Sequence, residues 1–117
     1  MHHESYYVSP ATADMISQAV HTGVPVIAVG TTVVRTLESA WKNGALVPGH
    51  HDTNLFITPG YDFNVVSHMF TNFHTPKSTL LAMVSAFAGY DTIMQAYREA
   101  VNRRYRFFSY GDAMLIL

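Results

Sequence analysis

At 117 residues the chain has room for one domain or a part of one, and 49% of its residues are apolar, enough to bury a core. Only 13% are charged, below the roughly 25% usual for soluble domains, and the formal net charge is −1. That balance argues against a polybasic nucleic-acid binder, and the lack of cysteine excludes disulfides, thiolate chemistry and Cys-based metal sites.

In chain order, residues 6–8 read as a short strand. Residues 9–23, SPATADMISQAVHTG, read as a helix with Ser9 as N-cap, Pro10 at the first helical position and Gly23 just past the end. Ala13, Ile16 and Val20 share one face of it. The run VPVIAVG reads as a strand buried on both faces. It passes through Thr31 and Thr32 into a second helix with Val34, Leu37 and Trp41 on one face, stopped at Asn43-Gly44. Residues 45–54 are loop by composition. Residues 55–72 read as two or three short strands with a turn at Pro59-Gly60. A third helix is expected over 77–88, opened by Thr75-Pro76 and closed by Gly89. Asp91 caps a fourth, which carries Met94, Tyr97 and Val101. An aromatic segment, a Gly-Asp turn and a buried strand end the chain.

This order is an α/β pattern with at least one crossover unit, carried by residues 1–117 as a single segment. The longest mostly apolar run, LLAMVSAFAGY, is about half of the ~20 residues a membrane-spanning helix needs, and no signal peptide is visible. No membrane partner is expected, and the composition is compatible with the cytoplasm. The chain begins just before one strand and stops inside another, so a fragment of a longer protein is expected.

Three stretches could carry chemistry. The turn VGTTVVR places a glycine and two hydroxyl residues at a helix start, where backbone N–H groups and the positive dipole end suit a phosphate or carboxylate. Thr31, Thr32 and Arg35 are its candidates; the plainer reading makes one threonine an N-cap. In TNFHTPKSTL, Thr75-Pro76 is explained by helix initiation, which leaves Asn72, His74 and Lys77 for a ligand. An unperturbed histidine titrates near neutrality, so His74 could move a proton. In FFSYGD, Tyr110 and Asp112 could line a pocket. The pairs His2-His3 and His50-His51 lack a metal-ligand spacing, so no metal is expected. Four of the seven Lys and Arg residues lie between Arg98 and Arg106, either a solvated helix face or a phosphate contact. The residues alone point to an anion or nucleotide pocket and name no reaction.

The strings VIAVGTTVVRTLES, TNFHTPKSTLLAMVSAFAG and YRFFSYGDAMLI, with LFITPGYDFNVV between them, resemble the S-adenosylmethionine:tRNA ribosyltransferase-isomerase family of queuosine biosynthesis. The likeness runs from MHHE to Leu117. It implies the C-terminal part of that family's α/β main domain, without the β-barrel domain inserted elsewhere in its members. It further implies transfer of the ribosyl part of S-adenosylmethionine to 7-aminomethyl-7-deazaguanine in tRNA, and isomerisation to epoxyqueuosine with release of adenine and methionine. S-adenosylmethionine is then a substrate, and neither cofactor nor metal is implied.

Carried over by motif, Thr31, Thr32 and Arg35 match the family's strand-to-helix turn. Asn72, His74, Lys77 and Ser78 match its Asn-Phe-His and Pro-Lys-Ser string, and Ser109, Tyr110 and Asp112 its Ser-Tyr-Gly-Asp turn. His74 is the expected proton-transfer residue, the others the substrate-binding ones. Val33 stands where the family usually has Ser, and Thr75 where it has Leu. Two alternatives stay open: a non-catalytic chain that hides orphaned apolar faces by self-association, and a stand-alone nucleotide-binding module.

Overall fold

The structure, a computed structural model, describes residues 4–73, 79–107 and 112–117, with Thr79 and Leu80 described by backbone alone. Strand β1 spans Glu4–Val8. Helix α1 follows at Pro10–His21, and the Ser9 hydroxyl accepts the Thr12 N–H at 3.1 Å as its cap, as the Ser-Pro pair predicts. Strand β2 is confined to Ile27–Val29. Helix α2 runs Thr31–Ala40, and Gly30, at φ 95°, takes the N-cap position without a side-chain cap, so neither threonine fills that role.

Trp41 was expected to extend the apolar face of α2, but it leaves the helix with extended backbone. It opens β3 (Trp41–Lys42), which turns through Asn43 and Gly44 and returns as β4 (Ala45–Leu46). Both turn residues have positive φ, 53° and 85°, the left-handed pair that joins twisted strands most tightly. Strand β5 (Gly49–Thr53) replaces the loop expected over 45–54 and pairs antiparallel with β1, Tyr6 opposite His51 and Glu4 opposite Thr53. Its histidines and aspartate hide it from composition; pairing with a Tyr-rich partner makes it a strand.

Of the strands expected over 55–72, one forms: β6, His68–Asn72. Helix α3 covers Thr79–Ala88; the start expected at 77 lies outside the described residues. Helix α4 spans Tyr90–Asn102 with Gly89, not Asp91, at its N-cap, and β7 closes the order at Ala113–Ile116. Helix α4 buries Ile93, Tyr97 and Ala100, spaced four and three apart, and leaves Val101 exposed.

Strands β2, β6 and β7 form one sheet in that order, β2 parallel and β7 antiparallel to β6. The register of β2 against β6 is pinned where Ser67 donates its N–H to the Val26 carbonyl (2.9 Å) and accepts the Val26 N–H on its hydroxyl (3.0 Å). Ala28, Met69, Thr71, Met114 and Ile116 share one face, against which α2 packs. Ile27, Val29, Phe70 and Leu115 share the other and are exposed; Ile27 and Val29 are 57% and 65% accessible while Ala28 between them is 1%. The expectation that β2 is buried on both faces therefore fails among the described residues, because helices cover one face.

The core gathers Ala28, Val34, Leu37, Met69, Met83, Val84 and Ile93 into one cluster. At its edge Phe73 meets Tyr97 at 5.3 Å and Phe107 at 5.4 Å between ring centroids, which ties α4 to the end of β6. Among the described residues no helix is long and apolar enough to cross a membrane.

Candidate functional site at the strand ends

Parallel strands deliver their carboxyl ends to the same edge, where ligands of open α/β sheets bind. Here that edge belongs to β2 and β6. The Gly30 N–H donates to the Phe70 carbonyl at 2.7 Å, so the turn into α2 is tied directly to the end of β6. Thr31 is buried beneath this junction, and Thr32 is exposed one residue later. The first helical bond is Val34 N–H to Gly30 carbonyl at 3.3 Å, so the amides of Thr31, Thr32 and Val33 have no acceptor within the helix. Donors of this kind, at the positive end of the helix dipole, favour an anionic or electron-rich group.

Asn72 ends β6 beside Ala113 of β7. Its amide donates to the Asp112 carbonyl at 3.4 Å, and the Phe73 N–H reaches the same oxygen at 3.4 Å. The Asp112 carboxylate accepts the Arg106 N–H at 2.6 Å, and the Arg106 carbonyl accepts the Asp112 N–H, also at 2.6 Å. Asp112 thus closes the approach to β7 upon the segment that follows α4. Thr31, Thr32, Asn72 and Asp112 come to one edge. His74, Lys77, Ser78, Ser109 and Tyr110 lie outside the described residues, and so do His2 and His3.

Arg35 takes another direction. It is buried, at 3% exposure, and its Nε donates to the Leu55 carbonyl at 2.9 Å. Its Nη atoms reach the Glu4 carboxylate and, at 3.5 Å, the Thr53 carbonyl. The guanidinium joins α2 to β1 and to the end of β5.

Glu38, one turn further along α2, carries a function that the motifs did not reveal. It is 4% exposed, yet it accepts the N–H groups of Asn64 and Val65 at 2.9 Å, of Val66 at 3.0 Å, and the Tyr61 hydroxyl at 3.2 Å. Four donors fill the acceptor capacity of one carboxylate. Burial first, then the adjacent Glu38 charge, pushes the Tyr61 phenol up to about 12. The signal available in advance was a Glu on the core-facing side of a helix, followed by a loop rich in Gly, Pro and Asp with donors to spare.

Among the described residues no group of three potential metal ligands converges. Arg103 is exposed and pairs with Glu99 at 2.7 Å one helical turn away.

The family described as "Queuosine biosynthesis protein" matches residues 1–116. The chain is 58% identical over 117 residues to the S-adenosylmethionine:tRNA ribosyltransferase-isomerase of Anaeromyxobacter dehalogenans (strain 2CP-C), covering 100% of this chain and 34% of that protein. It is 58% identical over 116 residues to the protein of the same name from Coxiella burnetii (strain RSA 493 / Nine Mile phase I), covering 99% of this chain and 34% of that one. The crystal structure of S-adenosylmethionine tRNA ribosyltransferase from Thermotoga maritima matches with a TM-score of 0.90 at 50% identity, covering 97% of this chain and 40% of that one. The chain spans about a third of the length of the curated relatives it matches. With residues 1–116 matched by the family and its fold by a solved structure, the chain belongs to the queuosine biosynthesis protein family.

Proposed function

We propose that the chain is the C-terminal portion of an S-adenosylmethionine:tRNA ribosyltransferase-isomerase. The observation that carries this reading is 58% identity over the full 117 residues to a protein of that name. Within the longer enzyme, the segment contributes one wall of the cleft in which the ribosyl group of S-adenosylmethionine is moved to 7-aminomethyl-7-deazaguanine in tRNA. The capless start of α2, with Thr31 and Thr32, and the end of β6, with Asn72, face that cleft. Arg35, Lys77, Ser78, Ser109, Tyr110 and Asp112 complete the substrate-binding set by motif, and Arg35 also links α2 to β1. S-adenosylmethionine is consumed as a substrate. A tRNA substrate places the work in the cytoplasm.

The reaction calls for removal of a proton beside the sulfonium in a water-poor pocket, and a neutral imidazole is the best base in this set. His74 takes that role. In a full-length relative, alanine at the position of His74 is expected to cut adenine release by about 10²-fold or more. Near-normal turnover removes His74 from the mechanism.

A second reading concerns the chain by itself, and the exposed row of Ile27, Val29, Phe70 and Leu115 favours it. Without a cover for that row the 117-residue chain self-associates and catalyses nothing. Sedimentation velocity at rising concentration tests this; a single monomeric species throughout overturns it.

A further inference from the structure

We propose that the cavity between the β1–β5 ribbon and the C-terminal half of α2 binds an unpaired RNA nucleotide, its base against aromatic rings and its phosphate at Lys42 and His51. This rests on the reading of RNA as a substrate and adds a contact point away from the strand-end edge.

The cavity encloses about 410 Å³, within the usual range for small-ligand sites. Tyr6, Trp41 and Tyr61 line it, and each is half-buried, so part of each ring system is left accessible. Each ring is also held by a neighbour: Tyr6 by His51 at 5.9 Å, Trp41 by His21 at 5.9 Å, Tyr61 by Phe63 at 5.0 Å. Rings held in this way are stacking surfaces prepared before a ligand arrives, and stacking tolerates any base because every base has a π-face. The Asn-Gly hairpin fixes Trp41 and Lys42 from one side, and the hydrogen bond that Tyr61 donates to Glu38 at 3.2 Å fixes Tyr61 from the other.

The polar lining sorts into roles. Lys42 supplies a cationic group and His51, whose Nε2 lies 3.0 Å from the Pro48 carbonyl, its second ring nitrogen; both residues are exposed and suit a phosphate. Asn54 offers an amide to a base edge. Of the two carboxylates, Glu38 is filled by its four donors, and Asp52 accepts the Ser5 hydroxyl at 2.7 Å. Neither Glu38 nor Lys42 belongs to the strand-end cluster. The cavity is a second place on the same chain.

Trp41 is the sole tryptophan, so its emission reports on this cavity alone. The test titrates the 117-residue chain with a six-nucleotide oligoadenylate, with adenosine monophosphate, with an abasic RNA backbone of equal length, and with S-adenosylmethionine. The oligoadenylate is expected to quench Trp41 saturably and at lower concentration than the monophosphate, while the abasic strand leaves emission unchanged. Lys42→Ala is expected to weaken the oligoadenylate several-fold and to flatten its salt dependence without moving the thermal melt.

No saturable quenching by the oligoadenylate in a chain that melts cooperatively overturns the proposal. Equal quenching by the abasic strand overturns the stacking role. Monophosphate binding as tight as the oligomer reassigns the cavity to free nucleotides, and quenching by S-adenosylmethionine alone assigns it to that substrate; both overturn an RNA site. Adenine release by a full-length relative is scored separately. Retained release without RNA quenching sinks this site alone, and quenching without any release sinks the transferase reading alone.

Discussion

The β1–β5 ribbon and the β2–β6–β7 sheet both pack against α2, and they are held to it in opposite ways. The ribbon is attached by Arg35 through Glu4 and main-chain carbonyls, and next to it Glu38 gathers the amides of 64–66. The sheet is attached by apolar packing of Ala28 and Met69, and its other face carries Ile27, Val29, Phe70 and Leu115 toward the outside. A polar attachment works when every partner is in place, and removing one leaves the others buried and unpaired. An apolar attachment loses stability in proportion to area, and an uncovered apolar face has almost none to lose.

The sharpest way to break this contrast is Glu38→Ala. It strands two buried amides and one partly buried amide, and each buried donor left unpaired costs about 1–3 kcal/mol, so a loss of roughly 3 kcal/mol or more is expected in urea unfolding. A loss within the range of an ordinary surface change would mean that the 61–66 loop does not need its carboxylate. Arg35→Ala comes next, at about 2 kcal/mol by the same assay. Arg35→Lys is expected to recover little of it, because one ammonium cannot span the Leu55 carbonyl and the Glu4 carboxylate together.

Tyr61 offers a smaller and pH-dependent effect. Its phenol is raised from 10.0 to about 12 in the folded chain, so between those values the unfolded chain has lost a proton that the folded chain keeps. Its contribution is fully present below pH 10 and falls as pH rises toward 12. Tyr61→Phe should flatten the stability profile in that window; an unchanged slope would mean that the phenol is no more shielded than in the unfolded chain. The smallest expected change is Ile27→Thr on the open face. A β-branched residue keeps the strand, so stability should stay within about 0.5 kcal/mol while self-association declines. A large loss there would show that the face is covered after all.

Much of this architecture was legible in the chain itself. Ser9-Pro10 announced α1, the run around Ala28 announced β2, and Gly89 marked the break between α3 and α4. Strand β5 was not legible, because Gly-His-His-Asp-Thr has little strand propensity of its own and exists by pairing with β1. Trp41 has the right spacing to continue the apolar stripe of α2, but local periodicity says nothing about a hairpin that turns it aside. At the edge, Thr31, Thr32, Asn72 and Asp112 could be chosen from motifs because their neighbours in sequence carry the pattern. The contacts of Arg35 and Glu38 were not legible, because their partners lie 18 to 31 residues away for Arg35 and 23 to 28 for Glu38.

The reciprocal bonds between Val26 and Ser67 have a kinetic consequence. They register two parallel strands across a sequence separation of 41. That interval must lose its freedom before β2 and β6 gain their first shared bond, whereas the Asn43-Gly44 hairpin closes over two residues. The order of assembly is therefore written into the connection lengths: the hairpin that carries Trp41 forms within microseconds, well before the edge that gathers Thr31 and Asn72.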